Sequence, residues 1–212
     1  MKGAVPLNDD SLPAAPANPE LFEMRRLEML SNTIFGVAMT LLAYDLPKTG
    51  SFDHLPGWSD LFNLYAGRLS ALALSFIVAG LFWFSHHRRL TRQPVAGRGI
   101  VILNLIFLLS IILLPVTSGL YSNYRLASAV AMLYGIHLTI IAGLNAWLWW
   151  LARKGGWQEV AGAIFPVLIF VPGTALASVM PQYVQYFWCL AFLGLVARRF
   201  VARPDGMGAE GP

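Results

Sequence analysis

The side chains that could do chemistry in this sequence are few, and most of them interrupt long apolar runs. Amides and hydroxyls can form hydrogen bonds inside a membrane, and imidazoles titrate near neutral pH. These groups could therefore line a polar path, join helices or respond to pH. They are Asn32, Thr33, Thr40, His86, His87 and Asn104.

No arrangement of residues matches an enzyme or metal site. The sequence lacks the phosphate-loop, dinucleotide, zinc-protease and nucleophile-elbow patterns in their required contexts. His86 and His87 are adjacent and do not share a helix face, and Cys189 is the only cysteine. No Asp or Glu stands in the middle of an apolar run, where it could relay protons. We therefore expect no enzymatic activity, no metal and no cofactor.

The composition indicates that membrane helices position these groups. Of the 212 residues, 57% are hydrophobic and 12% are charged. Soluble domains usually carry about a quarter charged residues. The sequence therefore predicts an integral membrane protein, with no sizeable soluble domain.

Six apolar segments are long enough to span a membrane, for which about 20 residues suffice. The predicted fold is an all-α membrane protein whose transmembrane domain covers residues 23–203. Polar, proline-rich tails cover residues 1–22 and 204–212. Both tails are predicted to be disordered, and the N-terminal tail is predicted to be cytoplasmic. The predicted helices cover residues 24–46, 61–86, 99–121, 126–151, 160–179 and 182–201.

The distribution of basic residues orients this bundle, because Lys and Arg concentrate in short cytoplasmic loops. Only Lys48, Arg68 and Arg125 fall on the side away from the termini. We therefore predict that both termini are cytoplasmic. The net charge of +4 then reflects topology, and no nucleic-acid partner is expected. The other twelve basic residues are Lys2, Arg25, Arg26, Arg88, Arg89, Arg92, Arg98, Arg153, Lys154, Arg198, Arg199 and Arg203.

The first helix carries a mixed stripe. At 3.6 residues per turn, Thr33, Val37, Leu41 and Tyr44 share one face, and Thr40 lies beside it. Small and hydroxyl residues commonly lie at helix contacts in membranes, so the stripe alone favours helix packing. The alternative interpretation is that the stripe lines a polar path.

Asn104 needs a hydrogen-bond partner on another helix, because a buried amide without one is costly. The candidates at similar depth are Arg26, Asn32 and His86. These four residues predict a polar network between the first three helices. The network could be structural or could take part in gating.

The first helix also resembles that of the transmembrane-protein-175-type potassium channels. The signature of that family is Arg, three residues, then Phe-Ser-Asp and a run like "FAIAITLL". Arg26, Ser31 and Phe35 match this pattern, as does "MTLL" over residues 39–42. Leu30 stands where phenylalanine is usual, and Asn32 where aspartate is usual.

Two further motifs extend the resemblance over the first three helices. "FWFSHHRRL" is similar to the Trp-x-x-His-His ending of the family's second helix. "LNLIFLLSIILLPVTSGLYSNY" is similar to its third helix, with Leu-Asn-Leu, a proline and a closing tyrosine. Helices four to six match only in character.

The resemblance implies a bacterial homotetramer of six-helix subunits in the inner membrane, with the first helices lining a central pore for potassium or other monovalent cations. It implies a hydrophobic constriction at Val37, Leu41 and Tyr44, and a pore hydroxyl at Thr40. No cofactor is implied beyond potassium as the permeant ion. The polar network associated with gating would comprise Arg26, Ser31, Asn32, His86 and Asn104.

Two alternatives to a channel remain open, and one of them follows from the asparagine at position 32 where aspartate is usual. Asn32 keeps hydrogen-bonding capacity but loses the charge. A non-conducting scaffold or sensor of the same fold is one alternative. A secondary transporter is the less favoured one, because the first three helices do not resemble the last three as inverted repeats would.

Overall fold

A chain that crosses a membrane must satisfy its backbone hydrogen bonds internally, and a helix does so within one segment. The computed structural model describes residues 21–48, 52–92, 95–152 and 157–191, which are mostly helical. A 3-10 turn (Leu42–Asp45) extends the first helix, and two short strands are present, β1 (Leu21–Glu23) and β2 (Val95–Gly97). The helices are α1 (Met24–Leu41), α2 (Trp58–Leu90), α3 (Arg98–Tyr124), α4 (Ser128–Ala152), α5 (Trp157–Ala177) and α6 (Pro181–Trp188).

Five of the described helices are long and apolar enough to cross a membrane, with α1 and its 3-10 turn counted together. They support an integral membrane protein, as the composition indicated. The longest, α2, has 33 residues, or about 50 Å at 1.5 Å per residue. Because the hydrocarbon core is about 30 Å thick, part of α2 lies outside it.

Successive helices run in opposite directions. Contacts of Arg88 with Glu159 and of His87 with Glu28 bring the end of α2 beside the starts of α5 and α1. The end of the bundle where α1, α3 and α5 begin is called the basic end below. Its described basic residues are Arg25, Arg26, Arg88, Arg89, Arg92 and Arg98.

The first helix changes from α-helical to 3-10 geometry before it ends. The α-helix stops at Leu41, and the 3-10 turn carries the chain to Asp45. Leu46 then has an extended backbone, with φ −66° and ψ 145°. This conformation is the one that a residue directly before a proline prefers. The helix expected over residues 24–46 is therefore divided between an α-helix and a 3-10 turn.

The strand pair departs from the predicted all-α fold. β1 and β2 are antiparallel, with Leu21 opposite Gly97 and Glu23 opposite Val95. The predicted disordered tail over residues 1–22 is thus wrong at its end, because Leu21 and Phe22 belong to β1. Three-residue strands are too short to show an alternating pattern, and their hydrogen-bond partners are distant in sequence. The pair fastens the start of α1 to the start of α3.

The core forms around large aromatic side chains that fit against glycines. Trp188 of α6 is fully buried, and it packs edge-on against Tyr121 and Tyr134, whose rings stack 4.8 Å apart. A Cβ atom on Gly135 or Gly173 would come within 2.8 or 2.5 Å of the Trp188 ring. These glycines therefore allow α6 to pack closely on α4 and α5.

Several predicted segments lie outside the described residues. They are most of the N-terminal tail, the basic pair Arg153 and Lys154, the second half of the predicted helix over 182–201, and the tail over 204–212. Whether the last predicted helix, over residues 182–201, spans the membrane therefore stays a prediction.

Candidate functional site

One face of α1 is buried against the rest of the chain and the opposite face is exposed. Ser31, Phe35, Ala38 and Leu42 follow helical spacing and are all buried. Their packing against the rest of the bundle fixes the rotation of α1 about its axis. Between them, Ile34 and Met39 are half-buried and pack against the core, whereas the whole predicted stripe is exposed.

The predicted constriction residues lie on the exposed face. Val37 is 54% exposed, Leu41 45% and Tyr44 68%. Thr40 is exposed beside them. The chain thus presents an apolar stripe with hydroxyl groups along it, and no part of the chain that the structure describes covers that stripe.

The two hydroxyls of this face bond to their own helix. Thr40 Oγ1 donates to the Val37 carbonyl at 2.7 Å, and Thr33 Oγ1 donates to the Met29 carbonyl at 3.0 Å. A hydroxyl has one hydrogen and two lone pairs. Each oxygen therefore retains acceptor capacity toward whatever faces α1, including a cation or its water.

At the far end of the stripe, neighbouring residues point in opposite directions. Tyr44 turns outward, with the Lys48 ammonium 4.3 Å from the centre of its ring. Asp45 turns inward onto α3, where a Cβ atom on Gly119 would lie only 1.6 Å from Asp45 Oδ2. Glycine at 119 is thus required for Asp45 to occupy this position. The contact of Asp45 with α3 therefore holds the 3-10 turn against the bundle, while Tyr44 remains exposed.

A chain of hydrogen bonds joins the first three helices near the basic end. His86 Nε2 lies 2.9 Å from Ser31 Oγ, and Arg89 Nη2 lies 2.8 Å both from His86 Nδ1 and from Asn104 Oδ1. All four side chains are buried. Three of them, Ser31, His86 and Asn104, are among the predicted network residues.

The directions of these bonds determine the tautomer of His86. Ser31 uses its hydroxyl hydrogen on the Leu27 carbonyl, 2.7 Å away, so its oxygen accepts from His86 Nε2–H. Arg89 can only donate, so His86 Nδ1 is the acceptor. His86 is thus a neutral imidazole with its proton on Nε2, and a second proton on Nδ1 would face the guanidinium.

Arg89 is the central residue that the sequence interpretation missed. Its position in "HHRRL" resembles the basic residues that end a membrane helix, yet Arg89 is only 1% exposed. Its spacing of three from His86 is a signal that could have placed both on one helix face. Within the described part of the chain, Arg89 Nε and Nη1 and Asn104 Nδ2 are buried without a hydrogen-bond partner.

Asn32 belongs to a second, more exposed link between α1 and α2. Trp83 Nε1 donates to Asn32 Oδ1 at 2.9 Å, and the Trp83 ring stacks on His87 at 5.7 Å between centroids. His87 Nδ1 in turn lies 3.0 Å from Glu28 Oε1. The predicted network is therefore split between two links, of which one is buried and the other contains Asn32.

Arg26 is exposed in the first turn of α1. The described residues contain no group of three or more His, Cys, Asp or Glu side chains suited to a metal ion. What the site offers chemically is therefore a hydrogen-bonded anchor for α1 and an exposed stripe of apolar and hydroxyl groups.

Comparisons with known proteins agree on one family. Residues 26–115 match the family model described as the endosomal/lysosomal potassium channel TMEM175. This range contains α1 from Arg26 onward, α2, β2 and the part of α3 up to Pro115. The predicted stripe and every predicted network residue fall within it.

Two curated relatives are named potassium channels. One, from Streptomyces collinus, is 28% identical over 138 residues, which are 63% of this chain and 66% of the relative. The other, from Chamaesiphon minutus, is 26% identical over 201 residues, which are 88% of this chain and 98% of the relative. The matched family and these relatives are ion channels, not enzymes.

A solved structure shares the fold. It is the crystal structure of a lysosomal potassium-selective channel TMEM175 homologue from Chamaesiphon minutus. The TM-score is 0.70 at 18% sequence identity, and the match covers 82% of this chain and 97% of the other. The helical arrangement described above is thus that of a known channel fold.

Proposed function

We propose that this TMEM175-type chain is a subunit of a cation channel that prefers potassium to sodium. In this proposal four copies surround a central pore, and the exposed face of α1 lines it. Val37, Leu41 and Tyr44 form the hydrophobic constriction, and Thr40 supplies a hydroxyl beside it. Each subunit has six membrane helices, and both termini are cytoplasmic in the inner membrane of a bacterium.

The observation that carries the proposal is the division of α1 into a buried face and an exposed face. Apolar residues alone would suit lipid as well as a pore. The same exposed face, however, carries Thr33 and Thr40. Polar groups in membrane helices usually face a bundle interior or a water-filled cavity. A pore on a fourfold axis gives the whole face one environment that fits both kinds of residue.

The stripe has a physical role in such a pore. Rings of apolar side chains can gate a pore by losing their water. Valine, leucine and tyrosine at successive turns would make three such rings. Thr40, with its free acceptor capacity, would offer an oxygen to a partly dehydrated cation between them. Potassium loses its water more readily than sodium, so a narrow apolar segment favours potassium.

The buried chain from Ser31 to Asn104 supports this arrangement from behind. It ties the pore helix to α2 and α3 through His86 and Arg89. We propose that it holds α1 at a fixed rotation, so that the stripe faces the axis. Movement of α2 or α3 at the basic end would then be transmitted to α1, which gives the network a part in gating.

The deciding experiment is ion flux through the purified protein in liposomes, with potassium and sodium compared under the same gradient. Potassium flux above sodium flux is expected. Absence of flux for both ions would reject the channel and favour a non-conducting scaffold or sensor of the same fold. Flux that saturates and depends on a second, coupled ion would instead identify a secondary transporter.

A further inference from the structure

The guanidinium of Arg89 is buried between α2 and α3 beside uncharged groups. Arg89 is 1% exposed, and its described hydrogen bonds go to His86 Nδ1 and Asn104 Oδ1. The first acceptor belongs to a neutral imidazole and the second to an amide. Arginine stays protonated in proteins, so its positive charge is buried here among neutral partners. A buried charge without an opposite charge close to it is strongly destabilising.

The described carboxylates at the basic end are engaged by other residues. Glu28 contacts His87, and Glu159 contacts Arg88. None of the ion pairs in the part of the chain that the structure describes includes Arg89. Ions in bulk solution screen a buried charge much less than an exposed one. A compensating charge would therefore have to lie next to the guanidinium itself.

Three N–H groups around this charge have no acceptor among the described residues. They are Arg89 Nε, Arg89 Nη1 and Asn104 Nδ2, and all three atoms are buried. Buried donors in folded proteins nearly always have a hydrogen-bond partner, which can be a bound water or ion. These donors therefore indicate that a group with acceptor capacity binds beside Arg89 and Asn104.

Two of the three donors flank the same hydrogen bond. Arg89 Nη2 donates to Asn104 Oδ1 at 2.8 Å. Nη1 is bonded to the same carbon as Nη2, and Nδ2 is bonded to the same carbon as Oδ1. One acceptor placed beside the Nη2–Oδ1 bond can therefore reach both unpartnered donors.

The surroundings favour a small acceptor with a single negative charge. Asn104 is 0% exposed, and the neighbouring Ser31 and His86 are also buried, so the site suits an ion of about the size of a water molecule. One guanidinium is neutralised by one negative charge. Hydrogen bonds from a charged donor to an anion are also stronger than those between neutral groups.

We propose that Arg89 and Asn104 bind a monovalent anion of the halide type, with chloride as the natural occupant. Arg89 Nη1 and Asn104 Nδ2 donate to the ion, which neutralises the guanidinium and stabilises the contact between α2 and α3. A water molecule would satisfy the same donors but would leave the charge uncompensated. The site does not depend on ion conduction, so its failure and the failure of the proposed channel are separate results.

The test is thermal unfolding of the purified full-length protein in detergent, at constant potassium concentration and constant ionic strength. Potassium gluconate is replaced stepwise by potassium chloride, because gluconate is too large for a buried site of this kind. A ligand that binds only the folded state raises the unfolding temperature with the logarithm of its concentration. We expect a rise of about 3 °C for each tenfold increase in chloride above its dissociation constant. An unfolding temperature that does not depend on chloride would leave water as the occupant and overturn the proposal.

Two variants locate the site. Asn104→Asp keeps the shape of the side chain and supplies a carboxylate in place of the ion, and Arg89→Met removes the charge that attracts it. Both are expected to abolish the dependence on chloride. The control Arg98→Gln removes an exposed basic residue at the same end of the bundle and should keep it. If the two site variants respond to chloride as the unmodified protein does, the anion binds elsewhere and the proposal is wrong.

Bromide locates the ion without any substitution. Crystals of the protein grown in potassium bromide are expected to show an anomalous scattering peak beside Arg89 Nη1 and Asn104 Nδ2. Bromide peaks at exposed arginines alone, with none at this position, would contradict the proposal.

Discussion

His86 donates its Nε2 proton to Ser31 Oγ across 2.9 Å, and this bond joins the second helix to the buried side of the first. The Ser31 hydroxyl is already committed to the Leu27 carbonyl. The serine oxygen therefore accepts this proton, and among the described residues it is the one acceptor found for it. The stability of the contact between the two helices should depend on it.

Ser31→Ala leaves the buried His86 Nε2–H without an acceptor, which typically costs about 1–3 kcal/mol. We expect a lower thermal unfolding temperature in detergent. Thr33→Ala is the matched control, because its hydroxyl is exposed and bonds its own helix, and its effect should stay within about 0.5 kcal/mol. Equal effects of the two variants would mean that the Ser31 bond contributes nothing specific.

Asn104→Asp and Asn104→Leu should have opposite effects. Aspartate would give Arg89 a carboxylate where Nη2 now donates to an amide oxygen at 2.8 Å, and charge-assisted bonds are stronger than neutral ones. Leucine removes the acceptor, which costs about 1.5–3 kcal/mol for a charged donor. Thermal unfolding of both variants checks the order. If the aspartate variant is less stable than the unmodified protein, other groups already compensate the charge of Arg89.

Gly119→Ala should displace Asp45, because the new Cβ atom would lie 1.6 Å from Asp45 Oδ2. We expect a loss of stability, although alanine is the better helix former by about 1 kcal/mol. The control Gly143→Ala, in open space, should be neutral or stabilising. The double variant Gly119→Ala with Asp45→Ala should recover stability, and without that recovery the clash is not the cause.

Leu41→Asn tests the proposed constriction. A polar ring would hydrate more easily than an apolar one, so we expect faster flux for both ions and a smaller preference for potassium. Leu109→Asn, on an exposed position of α3, is the control and should leave flux unchanged. The assay is liposome flux normalised to reconstituted protein. Unchanged flux for Leu41→Asn, or even for Leu41→Asp, would remove α1 from the pore.

Lys48→Gln tests the outer end of the stripe. The Lys48 ammonium stands over the Tyr44 ring at 4.3 Å and would repel cations that approach a pore there. We expect higher potassium flux in the variant at low ionic strength, and a smaller difference at high salt, where screening shortens the reach of the charge. Arg125→Gln, at the same end of the bundle but after α3 and not beside the stripe, should show less of this salt dependence. A salt-independent change would indicate a structural effect.

The sequence was sufficient for the class of protein and for a family resemblance. Its apolar composition predicted a helical membrane protein, which the described helices support. Its three motifs predicted a resemblance to the TMEM175 type, and residues 26–115 match that family's model. These features are visible because a membrane span needs a long apolar run and because the motifs occur in order. The pore residues, the tetramer and the sixth span stay predictions.

Other features could not be read from the sequence. Arg89 looks like a helix-ending charge, and only the packing of α1 and α3 around it makes it a buried residue. Asn32 and Ser31 are adjacent, yet the rotation of α1 sends them to different partners, Trp83 and His86. The β1–β2 pair depends on hydrogen bonds between segments far apart in the chain, which leave no local pattern.

The strand pair also has a consequence for biosynthesis. A chain emerges from the ribosome N-terminus first, so Leu21–Glu23 is made long before Val95–Gly97, its partner. The first two membrane helices must therefore enter the bilayer while the start of α1 is still untethered. The side-chain contacts of α1 with α2 have to align it first, and β2 then fastens an alignment that already exists.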